Sequence, residues 1–169
     1  MAQDKGVQLS DIEDTQRGRF LMFDLGEEAY GLEISFVTEI IGMQPIFCLP
    51  ETPDYIRGIV NLRGKIIPVI DMRLKFSKEA IEYNDRTCII VIDTGRFSVG
   101  LIVDSVAEVV TLEDDQIVPP PDAHTGIQNH YIKGIGKTGV HVALLLDCRE
   151  LFSEEEEREV NSSMKAEGQ

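Results

Sequence analysis

Three histidines, three cysteines and the stretch GIGKTG are the places where this chain could carry catalytic or metal chemistry. None has the spacing for it. His124, His130 and His141 keep no ligand spacing with one another or with Cys48, Cys88 and Cys148, and there is no CxxC or HxxxH. GIGKTG, residues 134–139, lacks the full G-x4-G-K pattern of a phosphate loop. VHVALLL after it reads as a strand, not as the helix whose N-terminus would hold a phosphate. It is read as a Gly-rich turn. No GxSxG is present, so no metal, no cofactor and no enzymatic activity are expected. The chemistry that remains is recognition. Residues 55–76, YIRGIVNLRGKIIPVIDMRLKF, carry Arg57, Arg63, Lys65, Arg73 and Lys75 against the single acid Asp71, in a chain of net charge −14.

A basic stretch in an acidic chain needs elements to present it. Two β-branched runs, residues 56–62 and 66–70, flank Arg63-Gly64-Lys65, and Gly64 can take the positive φ of a tight reversal. This is a β-hairpin with a cation at its tip. Pro68 inside the second run predicts an edge strand or a bulge. Upstream, residues 20–25 and 30–34 read as strands around a turn at 26–28. Ser35 is placed as the N-cap of one helical turn over 36–38, followed by a strand at 39–41. Cys48 and Cys88 lie in apolar runs and are assigned to the core.

The second half repeats the first. At an offset of 69, Asp24 falls on Asp93, Gly31 on Gly100, Val37 on Val106 and Glu39 on Glu108. After an insertion around residues 120–127 the offset is 76: Tyr55 falls on Tyr131, Gly58 on Gly134, Asp71 on Asp147, Arg73 on Arg149 and Phe76 on Phe152. Each copy reads as about five short strands, a small barrel. Copies this small need a shared apolar layer. The fold class expected is therefore mainly β: two pseudo-repeated five-stranded SH3-like barrels packed around a shared core, with short helical turns and a C-terminal helix. Residues 1–17 are read as a flexible arm and 18–153 as a single domain. Its repeats run over about 18–82 and 83–153, with strand exchange between them open. Residues 154–169 are read as an acidic helix and tail. Ser153 and Glu156 form a capping box for that helix, expected to run to about residue 160.

Divergence between the copies marks where one of them took on a task. The second hairpin has no arginine, so the fold does not require Arg63. Arg is enriched at interface hot spots. Glu39 could pair with Arg63 and hold it in one rotamer, whereas Glu108 has no matching cation. Ile102 replaces the acid Glu33 of the first copy and is read as a candidate docking residue, against the alternative of a thicker core. The acidic balance argues against nucleic acid and anionic membranes. No apolar run is long enough to span a bilayer, no signal-peptide core is seen at the N-terminus, and the odd, dispersed cysteines argue for a cytoplasmic setting.

At these residues the chain resembles the CheW-like domain family. GIVNLRGKIIPVIDMRLKF matches its most recognisable segment, an NLRG turn between an apolar strand and a PVIDMR ending. YGLEISFVTEII and VGLIVDSVAEVV are similar to its repeated segments. The resemblance covers about residues 18–152 and implies a non-enzymatic adaptor without cofactor. Such an adaptor couples the cytoplasmic tips of chemoreceptors to the regulatory domain of the histidine kinase CheA in chemotaxis, from the cytoplasm. With no receiver or kinase segment, a stand-alone adaptor is implied. The alternatives are a CheV-like or paralogous coupling module for another pathway and, more distantly, a nucleic-acid-binding barrel. The resemblance implies Arg63 at the receptor contact with Glu39 matched to it, and Val37, Leu62 and Gly64 are candidate receptor-binding residues beside them. Ile102 is the candidate on the kinase side.

Overall fold

A computed structural model describes residues 18–120 and 131–167. The expected N-terminal arm and the insertion with His124 and His130 lie outside the described residues. Strands β1 (Arg19–Leu25), β2 (Glu28–Glu33) and β3 (Val37–Gly42) come first. The basic hairpin follows as β4 (Ile56–Leu62) and β5 (Lys65–Asp71), with a one-turn helix α1 (Met72–Lys75) capped by the Asp71 carboxylate. The second half gives β6 (Cys88–Asp93), β7 (Ser98–Val103), β8 (Ser105–Thr111) and the short β9 (Ile117–Val118). It ends with β10 (Ile132–Thr138), β11 (His141–Leu146) and helix α2 (Glu154–Glu167).

The strands form two sheets, in the orders β8-β1-β2-β11-β10-β9 and β3-β6-β7-β5-β4. Each takes strands from both halves of the chain. β1 and β2 join the six-stranded sheet completed by the second half; β6 and β7 join the five-stranded sheet completed by the first. Neither copy builds its sheet alone. The duplication is nonetheless intact: β3, β4, β5, β6 and β7 occupy the places of β8, β10, β11, β1 and β2.

Three apolar clusters follow from this arrangement. One lies inside the five-stranded sheet and includes Val60, Leu62, Ile67, Val69, Ile89, Val91 and Ile102. A smaller one lines the six-stranded sheet with Phe20, Met22, Leu112, Ala143 and Leu145. The largest, from Leu21, Phe23 and Leu32 to Ile90, Leu101 and Leu146, is the layer shared between the sheets. β7 is covered on both faces, so Leu101, Ile102 and Val103 are all buried.

Repeated glycines mark where each sheet bends. β4 is bulged between Ile56 and Gly58, and β10 between Ile132 and Gly134. Gly58 has φ +144, and a Cβ there would stand 2.1 Å from the Phe47 carbonyl oxygen. That approach admits the bridge of Phe47 to Ile59. A Cβ on Gly134 would likewise crowd Ile117 and Val118 of β9.

Several local expectations are corrected. The helical turn after β2 is a 3-10 turn over Ile34–Phe36, with Glu33 in the cap position and no capping side chain, so Ser35 is inside it and the strand begins at Val37. GIGKTG is mostly strand: β10 runs to Thr138, and the reversal is at Gly139 and Val140. β5 is an interior strand; Pro68 precedes Val69, where the parallel ladder to β7 begins. Cys48 is exposed, in a loop held by a single bridge, while Cys88 is half-buried and Cys148 buried. The capping box at Ser153 forms as read, with Ser153 N–H donating to Glu156 and Glu156 N–H to the Ser153 hydroxyl, but the helix runs on to Glu167.

Candidate functional site

The hairpin tip is a two-residue loop closing the pair Leu62 and Lys65. Arg63 and Gly64 both have positive φ, +53 and +91, the mirror-image turn that suits the twist of paired strands. Glycine takes this conformation freely. For arginine it costs roughly 1 kcal/mol. Two contacts hold it there. Asn61 Oδ1 accepts the Gly64 N–H at 2.8 Å, and the Arg63 guanidinium donates to Glu39 Oε2 at 2.6 Å.

Glu39 comes from β3, at the opposite end of the strand order from β4. The ion pair therefore closes the seam of the five-stranded sheet and curls it into a barrel. A register shift between Val37 and Glu39, with the Thr38 hydroxyl donating to the Val91 carbonyl, aims Glu39 at the tip. Lys65 Nζ reaches Ser98 Oγ at 3.4 Å on the same rim. Arg63 is still 72% exposed against 31% for Glu39. It is a fixed cation presented to solvent.

The remaining residues read from the sequence sit at different depths. Gly64 is exposed beside Arg63. Val37 is half-buried and packs against the shared layer. Leu62 is 7% exposed and floors the turn from inside the barrel. Ile102 is 2% exposed within the five-stranded interior, so it presents no docking surface; the residue replacing Glu33 thickens the core instead. Glu33 itself pairs with Lys133.

Two polar clusters that fix the body escaped the sequence reading. Arg73 Nε and Nη2 grip Asp104 Oδ1 and Oδ2 at 2.9 and 2.6 Å, and the Gly26 N–H donates to Oδ2 at 2.6 Å. This ties α1 of one sheet to the β1–β2 turn of the other. Burial pushes the Asp104 carboxyl up, but Arg73 and Gly26 outweigh it and hold the group below its usual range. The second cluster is Lys75, 6% exposed, whose ammonium meets the Glu156 carboxylate at 2.9 Å. It lies 5.8 Å from the ring centres of both Tyr55 and Tyr131 and 5.3 Å from that of Phe152. Tyr55 O–H donates to Glu159, Arg96 pairs with Glu157, and Val160 is fully buried. Helix α2 is thereby pinned on the shared layer. The repeats at Tyr55 and Tyr131, and at Phe76 and Phe152, were the available signal.

Burial pushes the Cys148 thiol up to about 12, and nearby carboxylates add to it, so it stays protonated and inert at neutral pH. Among the described residues no group of His, Cys, Asp and Glu could hold a metal ion. Nor is any helix long and apolar enough to cross a membrane.

Two lobes share one apolar layer, and a strained, ion-paired cation stands at a hairpin tip of one of them. A model of the CheW-like domain matches residues 19–156. The chain belongs to the CheW-like domain family, whose named members are chemotaxis and scaffolding proteins rather than enzymes. It is similar to chemotaxis protein CheW of Klebsiella aerogenes, 39% identical over 143 residues, covering 85% of this chain and 86% of that one. CheW of Treponema pallidum is 34% identical over 142 residues, covering 82% and 84%. Among solved structures, scaffolding protein TtCheW from Thermoanaerobacter tengcongensis aligns with TM-score 0.74 and 38% identity, covering 80% of this chain and 92% of that chain.

Proposed function

We propose that this chain is a non-enzymatic adaptor that couples chemoreceptor cytoplasmic tips to the regulatory domain of CheA. It works in the cytoplasm and is recruited to membrane-associated receptor arrays. Arg63, held by Glu39, is the polar anchor of the receptor contact; Gly64 and Val37 flank it, and Leu62 supports the turn. The observation that carries this reading is the pairing of strain with exposure. Arg63 occupies a conformation that glycine would adopt more easily, and its guanidinium is kept in one place while open to solvent. A turn selected for stability alone would not keep arginine there. Fixing the side chain in advance lowers the entropy lost when a partner binds.

To pass a signal, such an adaptor must hold receptor or kinase better in one signalling state than in the other. A rigid body suits this, and Asp104 with Arg73, and Lys75 with Glu156, supply the rigidity. The test is co-sedimentation with a receptor cytoplasmic fragment. The Arg63→Glu variant is expected to lose binding while keeping its thermal unfolding profile. Equal binding by variant and parent would contradict the assignment.

A further inference from the structure

Because the barrels are copies, every residue at one seam has a counterpart at the other. In the five-stranded sheet the seam between β3 and the β4–β5 tip is closed from within by Arg63 on Glu39. In the six-stranded sheet the counterpart of Glu39 is Glu108 on β8, but Arg63 is replaced by Gly139. The acid is kept and the closing cation is gone. Among the described residues Glu108 has no ion-pair partner.

The second seam is open. A groove of about 580 Å³ runs along it, between Glu108 and Val110 of β8, Met22 on the floor, and Thr138, His141 and Val142 of the opposite hairpin. Asp24, Glu27 and Glu28 also line it. Glu28 is engaged by Lys78 and Tyr30, and Asp24 by the Ser105 hydroxyl. Among the described residues no lysine or arginine lines the groove, and with Lys78 set against Glu28 its lining is still net acidic. β8 is an edge strand, paired only with β1, seven residues long, without Lys or Pro, and with Val109 41% exposed. Edges of this kind invite strand addition unless something blocks them.

We propose that this seam docks an extended segment of a partner protein carrying an arginine or lysine between small apolar residues. The cation supplies to Glu108 from outside what Arg63 supplies to Glu39 from within. The segment's backbone adds to the free edge of β8, and its apolar side chains meet Met22, Val110 and Val142. The chain's own residues 1–17 are net acidic and do not fit this field. The inference rests on the internal copy alone and stands apart from the receptor assignment of Arg63.

The test is an NMR titration of the isotope-labelled full chain with three capped peptides, TVRVT, TVQVT and TVEVT, at low salt. The arginine peptide is expected to shift amides at 107–110 and 138–144, and the glutamate peptide to leave them unchanged. Glu108→Gln should weaken the arginine peptide about tenfold, ~1.4 kcal/mol. Gly139→Arg should close the seam from within and abolish binding. Gly139 has φ +65, but Val140 lacks the positive φ of Gly64, so arginine is strained in this turn and the variant's thermal unfolding is read beside its binding. Four results would overturn the proposal: three peptides binding alike, no shift with any of them, shifts confined to other surfaces, or undiminished binding by Glu108→Gln. Self-association of the free chain through residues 107–110 would also overturn it.

Discussion

Glu39 and Arg63 lie on elements at opposite ends of a five-strand order, yet their side chains meet at 2.6 Å. An ion pair this exposed contributes about 0–1 kcal/mol. Its stabilising effect is no larger than the cost of holding arginine at positive φ. Arg63→Gly should therefore leave the melting temperature unchanged or slightly raised, while receptor-fragment binding is lost. Calorimetry alongside co-sedimentation separates the two effects. A melting temperature lowered by several degrees would make the pair structural.

The grip of Arg73 on Asp104 is a different case, because both side chains are largely buried, at 15% and 20% exposure. Asp104→Asn keeps the shape but removes the charge, leaving Arg73 in a half-satisfied site. A loss of about 2–3 kcal/mol is expected, read as a lower urea midpoint with unchanged slope. A loss well under ~1 kcal/mol would show that solvent screens the pair.

Lys75 organises the C-terminal helix. Lys75→Ala removes the partner of Glu156 and empties the space between Tyr55, Tyr131 and Phe152. Hydrogen exchange in α2 should rise by at least an order of magnitude, with little change in β6 and β7, whose protection follows global stability. Uniform acceleration across all strands would mean that the helix and the barrels unfold as one unit.

Acid should weaken the fold through the same groups. Burial raises the Glu156 carboxyl, but the Ser153 N–H and Lys75 outweigh it, and the group ends below its ordinary value, as Asp104 does. A carboxyl with a lower pKa folded than unfolded stabilises the native state above its unfolded pKa, and that contribution is lost as pH falls through the folded value. The urea midpoint should hold from pH 7 to about 5 and drop below about 4. Asp104→Asn should flatten that drop. A midpoint independent of pH between 7 and 3 would contradict the assignment.

Much of this was legible in the chain, for identifiable reasons. Glycines and aspartates at turns are fixed by local geometry, so the offsets of 69 and 76 gave away the duplication and the hairpin at Arg63. The Glu39 pairing was readable because only one copy has the cation. Strand exchange was not readable, since alternation within a strand does not say which copy supplies its neighbour. Ile102 was misplaced because alternation assumes one wet face, and β7 has none. Cys48 was misplaced because an apolar run without a ladder stays in a loop. Lys75 was missed because its aromatic partners Tyr55 and Tyr131 come together only when the two halves pack.

The proposed adaptor holds two partners at once, which is tested by sedimenting the full chain with a receptor cytoplasmic fragment and a CheA regulatory domain, singly and together. A ternary complex is expected in which neither partner displaces the other, and from which Arg63→Glu removes the receptor fragment alone. Mutually exclusive binding of the two partners would contradict it.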